Sequence, residues 1–188
     1  MVDDQGQGAL IVRLARTLLV RCLLPALVLL SGGTAQAQEN ASPFITRFHG
    51  KSTPPIQATE RSGKPFDAGS LRGKVVIVNL WATWCAPCRA ELPSLDRLAA
   101  ANGRDLVVLA VSNDRGGWPT IDRFWRDQYP HLHPVLATDA QLPQKLGALG
   151  LPYTLVLDRQ GREIARVPRA TDWTSAETRA LIARAVAQ

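Results

Sequence analysis

The chain has 188 residues, 46% of them hydrophobic and 20% charged, with a net charge of +6. That length and balance exclude a wholly disordered chain and leave material for one folded domain plus an appendage. The basic residues are mostly Arg and are scattered, with no Lys/Arg block and no interleaved aromatic stripe, so no nucleic-acid partner is expected.

Residues 12–37 read as a secretory signal peptide. Arg13, Arg16 and Arg21 form its positive region and Cys22 to Leu30 a short apolar core. Ser31-Gly32-Gly33-Thr34 breaks that core, and Ala35-Gln36-Ala37 is an A-x-A cleavage signal before Gln38. The alternative is a retained anchor over Leu10 to Leu30, which three internal arginines make costly. Asp3 and Asp4 are unusual ahead of such a segment and favour a translation start at Val12. The expected organisation is 1–37 signal peptide or N-terminal membrane anchor, 38–54 flexible lead-in without periodicity, and 55–188 folded domain.

Pro55 to Ser70 carries Ile56 and Phe66 around Ser62-Gly63-Lys64, the pattern of a small hairpin beside the main domain. After the turn Leu71-Arg72-Gly73-Lys74, Val75 to Leu80 is apolar on both faces, as a central strand covered on both sides is. The spacing of Leu92, Leu95, Leu98 and Ala99 predicts a helix from Cys85 to about Ala101, ended by Asn102-Gly103. Leu106 to Val111 is a second buried strand, and strand, helix, strand in this order makes a right-handed βαβ unit. Ser112 to Gly117 reads as a loop, and Thr120 to Gln128 as an amphipathic helix with Ile121, Phe124 and Trp125 inward. His131 to Leu136 reads as extended, and Asp139 as the cap of a helix over Ala140 to Leu149. Thr154 to Asp158 and Glu163 to Val167 form a hairpin around Gly161. Thr174-x-x-Glu177 is a capping box for a last helix, Ser175 to Ala187.

The cysteines decide the class of chemistry. Of the three, Cys22 falls in the export segment, which leaves the single pair Cys85-Ala86-Pro87-Cys88. A structural disulfide framework uses more pairs and longer loops. A strand that delivers C-x-x-C to the first turn of a helix is a redox arrangement. Unpaired backbone N–H groups and the positive end of the helix dipole there favour a thiolate on the first cysteine. Half a zinc site is the rival, with His131 and His133 completing it from far downstream. A peroxiredoxin does not fit, because Val78 and Ala82 stand where its P-x-x-x-[TS]-x-x signature needs Pro and Thr or Ser.

Two stretches, Gly73 to Pro93 (GKVVIVNLWATWCAPCRAELP) and Gly150 to Asp158 (GLPYTLVLD), resemble exported thiol–disulfide reductases of the TlpA/ResA/CcmG type, in the thioredoxin superfamily. The likeness covers roughly residues 55–188. It implies an α/β, thioredoxin-like fold: a central mixed sheet flanked by helices, with an N-terminal β-hairpin extension and a central insert over 112–135. It implies a redox disulfide Cys85–Cys88, with Cys85 the exposed nucleophile and Cys88 the buried resolving thiol. Pro152 would be a cis-proline lying against that disulfide, a conformation otherwise uncommon. Glu91 would be an acidic residue tuning the cysteines' proton chemistry, and Asn79 stands where cytoplasmic thioredoxins carry a buried Asp. Trp84, Ala86, Pro87 and Leu151 would contact substrate. From the residues alone, Glu91 also reads as a solvated first-turn charge, Arg89 as a surface residue, Trp81 as core, and Trp118, Trp125 and Trp173 as packing residues.

The same likeness implies a monomeric protein-disulfide reductase without a bound cofactor or metal. It would lie in the periplasm, or be anchored to the inner membrane there, and take electrons from a membrane thiol reductase. Its protein disulfide substrates would be apocytochrome c or copper-assembly factors. Two alternatives stay open: a thiol oxidase or isomerase of the same fold, and a copper metallochaperone using the Cys85/Cys88 pair, with or without His131.

Overall fold

The computed structural model describes residues 44–46 and 48–188. The signal-peptide or anchor segment 1–37, with Cys22, lies outside the described residues. The sheet has six strands: β1 (Ala58–Thr59), β2 (Val75–Trp81), β3 (Leu106–Ser112), β4 (Leu132–Ala137), β5 (Tyr153–Leu157) and β6 (Glu163–Val167). Their spatial order is β1-β4-β3-β2-β5-β6. The β2–β3 and β3–β4 pairs are parallel, whereas β1–β4, β2–β5 and β5–β6 are antiparallel. Among the described residues four α-helices flank the sheet: α1 (Ala86–Asn102), α2 (Gly117–Trp125), α3 (Leu142–Lys145) and α4 (Ala176–Val186).

β2 is buried along its whole length. Successive side chains of a strand point to opposite faces, so its apolar run supplies two cores. Val75, Ile77 and Trp81 pack in a cluster with Leu92 and Leu95 of α1, Leu181 and Ile182 of α4, and Trp173. Val76, Val78 and Leu80 pack in a second cluster with Leu142, Leu146 and Phe66. Each fully buried side chain of this size contributes about 1.5–3 kcal/mol, so the strand that carries the redox motif is anchored on both faces. Gly103 ends α1 with φ +53, a conformation open to glycine, and its N–H returns to the carbonyl of Ala99.

The structure corrects several boundaries. The hairpin before β2 joins the main sheet, where β1 pairs with β4 as an edge strand. Its turn closes through a Glu60 N–H to Lys64 carbonyl bond. The lead-in read as loose is, over its described residues, strapped along β6. Ile45 exchanges backbone hydrogen bonds with Arg166, Gly50 donates to the Glu163 carbonyl, and the Glu163 N–H donates to Lys51. Phe48 lies 3.7 Å beneath the Arg166 guanidinium. That guanidinium is buried, forked onto both carboxylate oxygens of Glu163 at 2.7 Å, and donates to the Leu146 carbonyl at 2.6 Å. The strap therefore covers a paired, hydrogen-bonded charge, the only form in which burial of a guanidinium is tolerated.

The helix expected over Thr120 to Gln128 runs instead over Gly117–Trp125, because Arg126 turns left-handed at φ 39. The helix expected over Ala140 to Leu149 is one turn, Leu142–Lys145. Asp139 caps a turn before it by accepting the Gln141 N–H, and Gly147 at φ +76 diverts the chain after it. The last helix is capped by Ser175, which accepts the Thr178 N–H, while the Thr174 hydroxyl is taken up by Asp172. Among the described residues no helix is long and apolar enough to cross a membrane.

Candidate redox site

β2 ends at Trp81 and α1 begins at Ala86, so Cys85 falls on the N-cap of α1 and Cys88 in its first turn. They are joined as a disulfide with Cα atoms 5.3 Å apart. The Cys88 N–H points at Cys85 Sγ at 3.2 Å. This donor and the positive helix terminus both favour negative charge on Cys85 Sγ once the bond is reduced. Cys85 is less open than expected: it is 4% exposed and Cys88 0%. The motif's exposed surface is made by its neighbours, Ala86, Pro87 and above all Trp84 at 68%. Trp84 therefore stands out into solvent, while Trp81 is core, against Phe124 and Trp125.

Glu91 stands three residues beyond Cys88, on the same buried face of α1. It is not a solvated charge, being 3% exposed. Burial pushes its carboxyl up from the ordinary 4.5 to about 7, against the opposing pull of three hydrogen bonds. Asn79 Nδ2 donates to Oε1 at 2.7 Å, the Thr171 N–H to Oε2 at 3.1 Å, and Trp173 Nε1 to Oε2 at 3.4 Å. Asn79 and Glu91, separate features in the sequence, thus form one pair. Asn79 uses its other N–H on Thr154 Oγ1 at 2.9 Å, which leaves Oδ1 buried without a partner. With both donors committed, the amide supports a charged Glu91 at the expense of its own oxygen. A shallow cleft lined by Ala90, Ser94, Arg97, Thr171 and Asp172 reaches Glu91.

The Leu151–Pro152 peptide bond is cis. Leu80 of β2 registers with Tyr153 of β5, which brings Pro152 to the end of the sheet where β2 enters the redox motif. Pro152 is buried, and Leu151, half-buried, packs against both cores. Three residues back, Leu149 is fully exposed, the second exposed large hydrophobic with Trp84 among the described residues.

Some partners of the site carry no signal in the sequence. Thr171 and Trp173 reach Glu91 from a loop some eighty residues away, where nothing in the local pattern marks them. Ser112 and Asp114 read as plain loop, yet both are buried: Ser112 ends β3 in register with Trp81, and Asp114 accepts from Thr83. Arg89, read as a surface residue, is exposed but donates to the Thr83 carbonyl at 2.7 Å. Among the described residues no group of three or more His, Cys, Asp or Glu is placed to hold a metal ion. His133 is instead engaged by Glu60 at 3.0 Å and lies edge-on to Phe66, and His131 contributes a backbone N–H to Asp96.

The Redoxin family model matches residues 48–182. The thiol:disulfide interchange protein DsbE of Yersinia pestis is 37% identical over 126 residues, covering 65% of this chain and 65% of that protein's length. The thiol-disulfide oxidoreductase ResA of Bacillus thuringiensis is 27% identical over 120 residues, covering 63% of this chain and 68% of that protein. Among solved structures, a putative thiol-disulfide oxidoreductase from Bacteroides vulgatus superposes with a TM-score of 0.63 at 25% identity, over 73% of this chain and 96% of that one. With its thioredoxin-like sheet and a Cys-x-x-Cys disulfide at the head of α1, this chain belongs to the Redoxin family, as a TlpA/ResA/CcmG-like member.

Proposed function

We propose that the chain is a protein-disulfide reductase working through the Cys85–Cys88 dithiol in the periplasm, exported by residues 1–37. The observation that carries this reading is the Cys85–Cys88 disulfide at the α1 N-terminus, with Cys85 on the N-cap at 4% exposure and Cys88 fully buried behind it. Kinship with DsbE and ResA supports exchange with protein disulfides, and clients of cytochrome c maturation or copper-site assembly are the proposed class.

In the reductive half-reaction the Cys85 thiolate attacks one sulfur of the client disulfide. A Cys85–client bond forms, and the client's other sulfur leaves as a thiolate. Cys88 then gives up its proton and attacks Cys85 Sγ, closing the Cys85–Cys88 bond and releasing the second client thiolate. The client gains two electrons, and a dithiol donor, proposed to belong to a membrane reductase, returns them. Glu91, one turn beyond Cys88 and held at about 7, is poised to exchange the Cys88 proton at neutral pH. The cleft beside Thr171 gives it a route to water away from the motif's exposed edge. Trp84, Ala86, Pro87 and Leu151 are the proposed client contacts, with Pro152 setting the backbone that faces the client.

A Cys88→Ala variant incubated with a periplasmic extract should accumulate adducts through Cys85 that dithiothreitol releases and mass spectrometry identifies. A variant whose Cys85 alkylates freely but traps nothing would contradict the reading.

A further inference from the structure

Thr83 lies two residues before Cys85, and all three of its polar groups are held. Its N–H donates to Asp114 Oδ2 at 3.0 Å and its hydroxyl to Asp114 Oδ1 at 2.7 Å, and its carbonyl accepts from Arg89 Nη1 at 2.7 Å. Asp114 is 5% exposed, and its Oδ2 also accepts from Ser112 Oγ at 2.8 Å. Its neighbour Asn113 donates its backbone N–H to the Trp81 carbonyl at 2.9 Å. The loop after β3 thus grips the segment between β2 and the redox motif at Trp81 and at Thr83.

A carboxylate is costly to bury unless several donors satisfy it. Two of its three donors come from the link to Cys85 and the third from Ser112 at the end of β3, so the cost stabilises one geometry of that link against the strand. The first residue beyond the grip is Trp84, 68% exposed. A large aromatic side chain held out into water contributes most to a protein contact when it is fixed before the partner arrives, because less freedom is lost on binding.

We propose that Asp114 is a positioning residue which, with Arg89, locks Thr83 so that Trp84 is presented as a preorganised contact for a protein client. This rests on the proposed disulfide-exchange activity. The test is a double-mutant cycle with insulin as the probe disulfide. Asp114→Asn should lower kcat/KM about tenfold, mainly through KM, in the otherwise unchanged chain, and less than about twofold in a Trp84→Ala background. Arg89→Ala, at an exposed position, should behave the same way and keeps the test valid if the Asp114 variant does not fold. Equal losses in both backgrounds, or no loss, would overturn the proposal, since a purely structural role is blind to Trp84. Absence of insulin reduction by the unmodified chain would instead refute the activity itself.

Discussion

Replacing Cys85 with Ala is expected to lower disulfide-exchange turnover by at least about a thousandfold, the scale on which enzymes lose a sole nucleophile. The effect follows from asymmetry in the site. Cys85 keeps the residual exposure, sits on the α1 N-cap and receives the Cys88 N–H, while Cys88 is shut in behind it. Brief alkylation of the reduced protein should therefore label Cys85 and leave Cys88 unmodified, read by peptide mass spectrometry. Equal labelling of both cysteines, or turnover surviving in Cys85→Ala, would show that the geometry has been assigned the wrong nucleophile.

The second large effect concerns Glu91. Its carboxyl is held at about 7 in the fold against 4.5 outside it, so the folded chain binds that proton more tightly than the unfolded chain does. The neutral form is the one the core accommodates. Stability from this group is fully present below pH 4.5 and is lost as pH rises through about 7. The gap corresponds to about 3 kcal/mol overall, of which about 2–3 kcal/mol falls between pH 5 and pH 8. Glu91→Gln removes the titration while keeping the shape. Urea unfolding of the oxidised proteins should show wild type losing that amount relative to Glu91→Gln between pH 5 and pH 8. Parallel pH dependence in the two proteins would mean that Glu91 is not buried as an acid.

The parts of the fold legible in the sequence are those written in local periodicity. Val75 to Leu80 is apolar at every position but Asn79, which announces a strand covered on both faces. Leu92, Leu95 and Leu98 mark the inner stripe of α1, and Gly103 its end. The redox pair was legible for the same reason, since spacing and helix position suffice to name it. What was not legible depends on contacts between distant loops. The lead-in looks featureless because its hydrogen bonds to β6 are backbone bonds, which any residue makes. Glu91 looked like a first-turn surface charge because the groups that bury it, Thr171 and Trp173, arrive from the far side of the sheet order. Asp114 looked like a loop acid for the same reason, as two of its three donors are on Thr83. The short α3 was overestimated because Leu142 and Leu146 keep helical spacing while the backbone has already turned at Gly147.

As a reductase, the Cys85–Cys88 pair runs in the reducing direction, and its reduction potential tests this directly. Equilibrating the purified chain against dithiothreitol or glutathione buffers, with the thiol state read by alkylation and mass, gives its reduction potential. A reductase should lie nearer thioredoxin, at about −270 mV, than DsbA. A value near the DsbA end, about −120 mV, would contradict the reductive reading and make the chain a thiol oxidant of the same fold.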